Sequence, residues 1–254
     1  MIAFSLNDLY IFNDIVHHIY CCPDSSQMRL QLMEKLTALV DFDGGSFYLS
    51  TVNNDQKLCS PVVYHIDPEF GEKYLQVYDQ LDYSKALMFT GRSMTYRESD
   101  IVDDSKRVLT PYYQMFYQTY HFHYSLHSSI SYQGRFLGVM SLFRSTEKEN
   151  FSQDDIELIG LLTTHLENSL YHRFLSEFDS QKKITVSQAV KKYHLTERQK
   201  VILQQLLDGS ENEQICEKLG ITNNTLKKHI SNIYKKLKIC SRVQLFKMIK
   251  EREK

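Results

Sequence analysis

The chain contains no tryptophan, so its ring surface is carried by 17 tyrosines and 14 phenylalanines. No apolar run approaches the roughly 20 residues that a membrane-spanning helix needs. The first residues also lack a basic stretch ahead of an apolar block, so neither insertion nor secretion is expected and no membrane partner is predicted. Five cysteines at irregular positions, with Cys21 and Cys22 adjacent, do not make a disulfide framework. A reducing, cytoplasmic setting fits them best. There is no phosphate-binding glycine loop, nucleophile elbow or zinc-protease signature. Catalysis and a bound cofactor are therefore not expected. His121, His123 and His127 stand at even separations, as metal ligands on one face of a strand sometimes do. No cysteine or carboxylate alternates among them, and they are read as sheet histidines among aromatics rather than as a metal site.

The net charge of −1 hides two oppositely charged parts. Residues 181–254 hold 17 Lys and Arg against 7 Asp and Glu, a surplus of ten positive charges; the first 180 residues hold 13 against 24, a surplus of eleven negative ones. A basic C-terminal part invites a polyanionic partner.

In that part, Leu226, Ile230, Ile233 and Leu237 are spaced four, three and four apart, which draws one buried stripe along a helix. Lys227, Lys228, Ser231 and Lys235 then fall on the opposite side, a cationic face with a short hydroxyl at its centre. Thr222 is the expected N-cap. Upstream, residues 213–219 form a shorter helix with Ile215, Cys216 and Leu219 inward, stopped by Gly220. A helix, a glycine-containing turn and a second helix with a basic face make a helix-turn-helix. Ser or Thr followed three places later by Glu or Gln marks capping boxes at Thr196 with Gln199, Ser210 with Glu213, and Ser241 with Gln244.

The run Leu195-Thr196-x-Arg198, Gly209-x-x-Asn212, Ile215, Leu219-x-Ile221-Thr222, Thr225-Leu226-Lys227-x-His229-Ile230, Ile233-Tyr234-x-Lys236-Leu237 and Ser241-Arg242 resembles the DNA-binding domain of the LuxR family of bacterial regulators. The resemblance implies that the third helix enters the major groove of double-stranded DNA and that the fourth helps two copies pair. Carried over, Lys227, Lys228 and Ser231 are candidates for base and phosphate contact, and Thr225 and Lys235 for backbone contact, with Thr222 at the start of the same helix. Glu213 stands where that family usually has Lys, Gln199 and Gln214 where it usually has Glu, and Lys238 where it usually has Gly.

Earlier in the chain, Leu9, Phe12, Val16 and Ile19 predict a helix over 6–20. A second helix capped by Asp24 or Ser25 is predicted to run through Leu39 and to end at Gly44-Gly45. Residues 46–52 and 58–66 read as a hairpin turning at 53–55, with Pro61 marking an edge or a bulge. Helical spacing returns over 67–81, residues 82–107 read as irregular, and 111–120 as a short helix with aromatics all round. Strands over 122–132 and 135–144 meet at Gln133-Gly134. A long helix opens at 151–155, with Ile156, Ile159, Leu162, Leu166, Leu170 and Phe174 in one stripe, longer than one small domain needs and open to a partner chain. This succession resembles a GAF domain, and more distantly an autoinducer-binding domain, in Phe42-Asp-Gly-Gly-Ser-Phe-Tyr-Leu49, Gly134-Arg-Phe-Leu-Gly-Val-Met-Ser-Leu142 and Phe151-Ser-x-x-Asp155.

The fold class expected is α+β: an α/β/α GAF-like domain with an antiparallel sheet over 1–178, a linker over 179–193, and an all-α four-helix helix-turn-helix domain over 194–254. Tyrosines bunch at 74–83 and 112–124 on either side of the long polar segment, as around a small-molecule pocket. Tyr78, Asp82, Tyr83, Tyr113 and Tyr117 are the expected lining, with Asp82 orienting a small, largely apolar effector. The segment Tyr74-x3-Tyr78-x3-Asp82-Tyr83 resembles the spacing that autoinducer domains use for an acyl-lactone, although those pockets usually also use Trp. The chain is read as a regulator that pairs as a homodimer on an inverted repeat, with a ligand-free dimerisation scaffold or an enzyme fused to a DNA-binding tail as the alternatives.

Overall fold

The computed structural model describes residues 4–51, 56–239 and 241–249, leaving aside the side chains of 177–182 and Lys247. The chain divides into two compact units, Met1–Phe174 and Leu175–Lys254. The turn expected at 53–55 lies outside the described residues.

In the first unit, α1 (Leu6–Cys21) opens on a capping box in which Ser5 Oγ accepts the Asp8 N–H at 3.1 Å and the Asp8 carboxylate accepts the Ser5 N–H at 2.9 Å. Ile15 and Ile19 are its fully buried residues, and Leu9, expected inward, is 49% exposed. Leu9 lies about 120° round the helix from Ile15, off the buried face. Asp24 caps α2 (Ser25–Leu36). This helix ends well before Gly44-Gly45, which instead open strand β1 (Gly44–Ser50). Glycine is needed there because a Cβ on Gly44 would sit 2.7 Å from Ile66 Cγ1.

Strand β2 (Leu58–Tyr64) pairs with β1 through a register shift between Phe47 and Leu49. The buried guanidinium of Arg29 in α2 meets this irregularity, donating to Phe47 O at 2.9 Å and Ser60 O at 2.5 Å. The predicted helix over 67–81 is split into α3 (Phe70–Gln76) and a 3-10 turn at Tyr78–Gln80, because Val77 leaves helical geometry. Residues 82–107, read as irregular, contain α4 (Lys85–Met88), strand β3 (Met94–Arg97) and α5 (Asp104–Arg107). A strand of four residues is too short to show a period of two, and its pairing with a neighbour is what fixes it. The aromatic run after Pro111 holds a π-helical turn at Tyr113–Tyr117, whose wider winding sets the rings of Tyr113 and Tyr117 nearly parallel with centroids 5.5 Å apart.

Strands β4 (Tyr124–Tyr132) and β5 (Arg135–Arg144) join through Gln133 and Gly134, both at positive φ, the geometry of a tight two-residue hairpin turn. The five-stranded antiparallel sheet has the order β2-β1-β5-β4-β3. At Gly138 a Cβ would come within 2.5 Å of Tyr48 O, so glycine permits the close approach of β5 to β1.

The two faces of the sheet differ because β4 alternates. Leu126 and Ile130 point to a core shared with α1, α2 and the long helix α6 (Gln153–Lys182), where Ile159, Leu162, Leu166 and Leu170 are buried. That stripe is used within its own unit and is not the surplus expected for a partner. The other face carries Phe70, Tyr74, Tyr112, Phe116, Phe122 and Phe143. Through the aromatic face runs one polar rung in strict register, Ser46 beside Ser141, Ser141 beside His127 and His127 beside Tyr96. The imidazole of His127 bridges Ser141 Oγ at 2.8 Å and Ser125 Oγ at 2.9 Å. His121 and His123 precede β4, His123 bonding Tyr113, and no group of three or more metal-ligating side chains occurs among the described residues.

The second unit is helical. Residues 186–193, expected as linker, form α7 (Val186–Tyr193), opened by a capping box between Thr185 and Gln188 and burying Val186 and Ala189. Its polar composition belongs to its outer face. Then follow α8 (Glu197–Leu207), α9 (Asn212–Leu219), α10 (Asn223–Leu237) and α11 (Arg242–Met248). The capping box at Thr196 and Gln199 forms as expected. The one expected at Ser210 and Glu213 is shifted by a residue to Glu211 and Gln214, because Glu211 is the N-cap of α9. Ser241 caps α11 by accepting the Gln244 N–H at 3.3 Å.

Burial drives the pKa of His127 down to about 4 from its usual 6.5. Such a group contributes stability above pH 6.5 that is lost as the pH falls through 4, about 3 kcal/mol in all. Chemical denaturation at pH 7 and pH 4 should show the wild type losing about that much more stability than His127→Gln. Lys238 ends α10 in the left-handed region at φ 57°. Lys238→Gly should relieve that conformation and raise stability by about 1 kcal/mol, read as a higher denaturant midpoint.

Candidate functional site

The second unit presents a cationic surface on α10. Leu226, Ile233 and Leu237 are fully buried and Ile230 is half-buried, so the stripe read from spacing is the inner face. Thr222 caps the helix, its Oγ1 accepting the Thr225 N–H at 3.3 Å and lying 2.9 Å from Thr225 Oγ1. Thr222, Thr225, Lys227, Lys228, Ser231 and Lys235 are all exposed.

They form two rows. Lys227, Ser231 and Lys235 follow each other at intervals of four on one side of the helix, and Thr222, Thr225 and Lys228 at intervals of three on the other. The first row lines a groove of about 630 Å³ together with Asn212 of α9, Tyr234 of α10 and Arg242 of α11. These last three had not been singled out as site residues, although each stands in the motif quoted above. The helix is held by polar ties as well as by its stripe. Lys236 Nζ donates to His194 O at 2.6 Å and to Gln199 Oε1 at 3.0 Å, while among its neighbours Arg198 of α8 donates to Leu219 O of α9 at 2.7 Å and Arg242 of α11 donates to Leu206 O of α8 at 2.7 Å. Glu211 and Glu213 at the start of α9 are exposed acids beside this cationic surface.

The first unit holds a small cavity on the aromatic face of the sheet, about 10 Å³ in volume, with Ser46 and Ser141 of the polar rung, His127, Asp82, Tyr74 and Phe116 among its walls. Of the five residues expected to line a pocket, Asp82 does. It is 7% exposed and its carboxylate accepts from Tyr74 OH at 2.6 Å, the Ser84 N–H at 2.8 Å and Ser84 Oγ at 2.7 Å. The four tyrosines pack round it without reaching the cavity. Tyr78 sets its ring edge-on to Phe116 and Tyr83 edge-on to Tyr112. Tyr113 bonds His123 Nδ1 at 2.5 Å, and Tyr117 bonds Ser125 Oγ at 2.7 Å. The guanidinium of Arg107 lies over both of those rings, 4.8 Å and 5.4 Å from their centroids.

Arg107 and Glu98, each 1% exposed, face each other at 3.6 Å. Burial pushes the Glu98 carboxyl above its usual pKa, while the hydroxyls of Tyr117 and Tyr83 and the Arg107 guanidinium pull the other way. The residues missed here were hidden by their type. Serines on a strand suggest solvent, and only their alternation with Leu126 and Ile130 along β4 signals a buried polar row.

Residues 30–170 match the GAF domain family, and residues 193–249 match bacterial regulatory proteins of the luxR family. The transcriptional regulatory protein LnrK of Bacillus subtilis is 36% identical over 94 residues, covering 34% of this chain and 43% of its own. YhcZ of the same organism, an uncharacterized transcriptional regulatory protein, is 39% identical over 54 residues, 21% of this chain and 25% of its own. The chain thus spans less than half the length of these curated relatives. The GAF domain of a phosphoenolpyruvate-protein phosphotransferase from Coxiella burnetii superposes with a TM-score of 0.50 at 15% identity, covering 69% of this chain and 99% of that one, a likeness of fold. By the match over more than half of its length the chain belongs to the GAF domain family, and it carries a luxR-type helix-turn-helix in its C-terminal unit.

Proposed function

We propose that the chain is a transcription regulator of the LuxR type that binds an inverted-repeat operator in double-stranded DNA as a homodimer, modulated by a small molecule in its GAF unit. The exposed cationic face of α10, held rigid from behind, carries this reading. Lys227, Ser231 and Lys235 and the row of Thr222, Thr225 and Lys228 offer cations and short hydroxyls to phosphates and base edges. Nothing in this assignment calls for catalysis, and the setting is the cytoplasm.

Pairing is supported by apolar side chains that face solvent. Leu6, Leu9 and Tyr10 of α1 and Leu161 of α6 are each about half or more exposed, at 69%, 49%, 69% and 50%. His165 of α6 touches both Phe12 and Tyr20, so α1 and α6 share one ridge. In the last helix Val243 is 64% exposed and open to a partner, whereas Ile249, which follows that helix, is buried in its own unit. A two-fold dimer requires a pseudo-palindromic operator.

A second reading, in which the GAF unit is a dimerisation scaffold with no ligand, is favoured by the tight packing of Tyr78, Tyr83, Tyr113 and Tyr117. The cavity beside Asp82 holds one water-sized group and no more. A thermal-shift screen of cytosolic metabolites separates the two, since a ligand at a hundred times its dissociation constant stabilises the fold by about 2.7 kcal/mol.

Lys228→Ala and Ser231→Ala should each cost roughly 1–3 kcal/mol on the operator and relax sequence preference, measured by fluorescence anisotropy against operator and scrambled duplexes. Lys235→Ala should weaken all duplexes alike and lower the salt slope by about one. Wild-type affinity in all three variants would exclude α10 as the reading helix. Light scattering should give two chains per operator duplex, and a single chain on one half-site would exclude the dimer.

A further inference from the structure

Helix α1 carries two metal-ligating side chains near its end. His17 and Cys21 stand one helical turn apart and both face solvent, with Cys21 Sγ 3.4 Å from His17 Nε2. A tetrahedral zinc ion, about 2.3 Å from sulfur and about 2.0–2.1 Å from nitrogen, sets two such atoms about 3.5 Å apart. The pair therefore already has the spacing of two corners of a zinc tetrahedron. Cys22 does not belong to it, since its Sγ turns to Asp24 O at 3.5 Å.

Two corners leave the tetrahedron half filled, and among the described residues of one chain no third His, Cys, Asp or Glu joins them. The face on which the pair stands points to the source of the rest. Leu6, Tyr10, Asn13, His17 and Cys21 follow one another at intervals of four, three, four and four, and all are exposed. By helix geometry they fall within about 80° of one another, on the side of α1 away from the buried Ile15 and Ile19. Intervals of three and four are those of a seam that packs on a second helix. Leu6 and Tyr10, each 69% exposed, are the apolar part of that seam. A polar Asn at one position of such a seam fixes its register, because the amide meets its own copy in a parallel pair. In that arrangement every residue lies across the two-fold axis from itself, so the two pairs of His17 and Cys21 converge on one point.

We propose that His17 and Cys21 are half of a zinc site that a second copy of the chain completes with the same two residues across the two-fold axis. The completed set is two thiolates and two neutral imidazoles, a tetrahedral donor set that suits zinc. This rests on the homodimer reading given above and deepens it by naming what locks the α1 faces together. Each Cys21 gives up its thiol proton on binding, so the two thiolates balance the charge of the ion and the affinity rises with pH. Both ligands are exposed in the single chain, so the ion reaches them before the copies pair.

The test uses the full chain at neutral pH, stripped of metal with a chelator and kept reduced so that no disulfide forms. Added Zn(II) should bind at one ion per two chains, and light scattering should show the dimer dissociation constant falling at least about tenfold. Co(II) in its place should give the visible absorption of a tetrahedral thiolate site. Cys21→Ser and His17→Gln should each abolish both effects while leaving the unfolding midpoint of the zinc-free chain unchanged, and Cys22→Ser should keep both effects. One ion per chain with no change in mass, or zinc-driven pairing that survives Cys21→Ser, overturns the site. A chain that pairs on operator DNA yet takes up no zinc loses this site and keeps the homodimer. A single chain on one half-site, with zinc or without it, removes the two together.

Discussion

The posture of α10 depends on a buried aliphatic stripe backed by one lysine. Leu226, Ile233 and Leu237 fix which side of the helix is hidden, but a stripe alone leaves a helix free to slide along its neighbour. Lys236 removes that freedom by donating at once to a carbonyl beyond α7 and to the side chain that caps α8. Gln199 thereby has two duties, since its Oε1 also accepts the Thr196 N–H at 3.0 Å. The luxR pattern usually has an acid there. A neutral amide keeps both hydrogen bonds while giving up the charge pairing, so the tie is short in range and little affected by salt.

Much of this unit was legible because each signal was local. A period of three and four residues, a glycine at the helix stop and threonines at the starts report on the chain within one or two turns, and the structure reproduces them at Leu226 to Leu237, Gly220, Thr196 and Thr222. Ser210 with Glu213 failed because Glu211 with Gln214 offers the same reciprocal pair one residue later, and nothing local decides between them. Helix α7 was concealed by its lysines, which mark its outer face, while Val186 and Ala189 are too few to draw a stripe.

The GAF unit was legible in outline and opaque at its site, for the same reason reversed. Hairpins announce themselves through turns, and Gln133-Gly134 did so. The polar rung is built from residues nearly a hundred positions apart, Ser46, Ser141, His127 and Tyr96, and comes into being only when strand order and register are set. The same holds for Arg29, a buried cation in α2 whose distant partners include the carbonyls of Phe47 and Ser60. Tyrosine clustering pointed to a pocket lining, whereas Tyr78, Tyr83, Tyr113 and Tyr117 pack within an aromatic face and, of the five residues, Asp82 alone borders the cavity.

The two edges of the sheet govern how copies of the chain can meet. Strand β2 carries Pro61, which has no N–H to give, and Ser60 turned to φ 50°, while β3 is four residues long. Neither edge offers a straight run of free donors and acceptors, so a second sheet has nothing to continue. Growth by strand addition, which would be open-ended and would lead to fibres, is thereby closed. The pairing proposed above then falls to helix faces, where a two-fold contact consumes itself and stops at two copies.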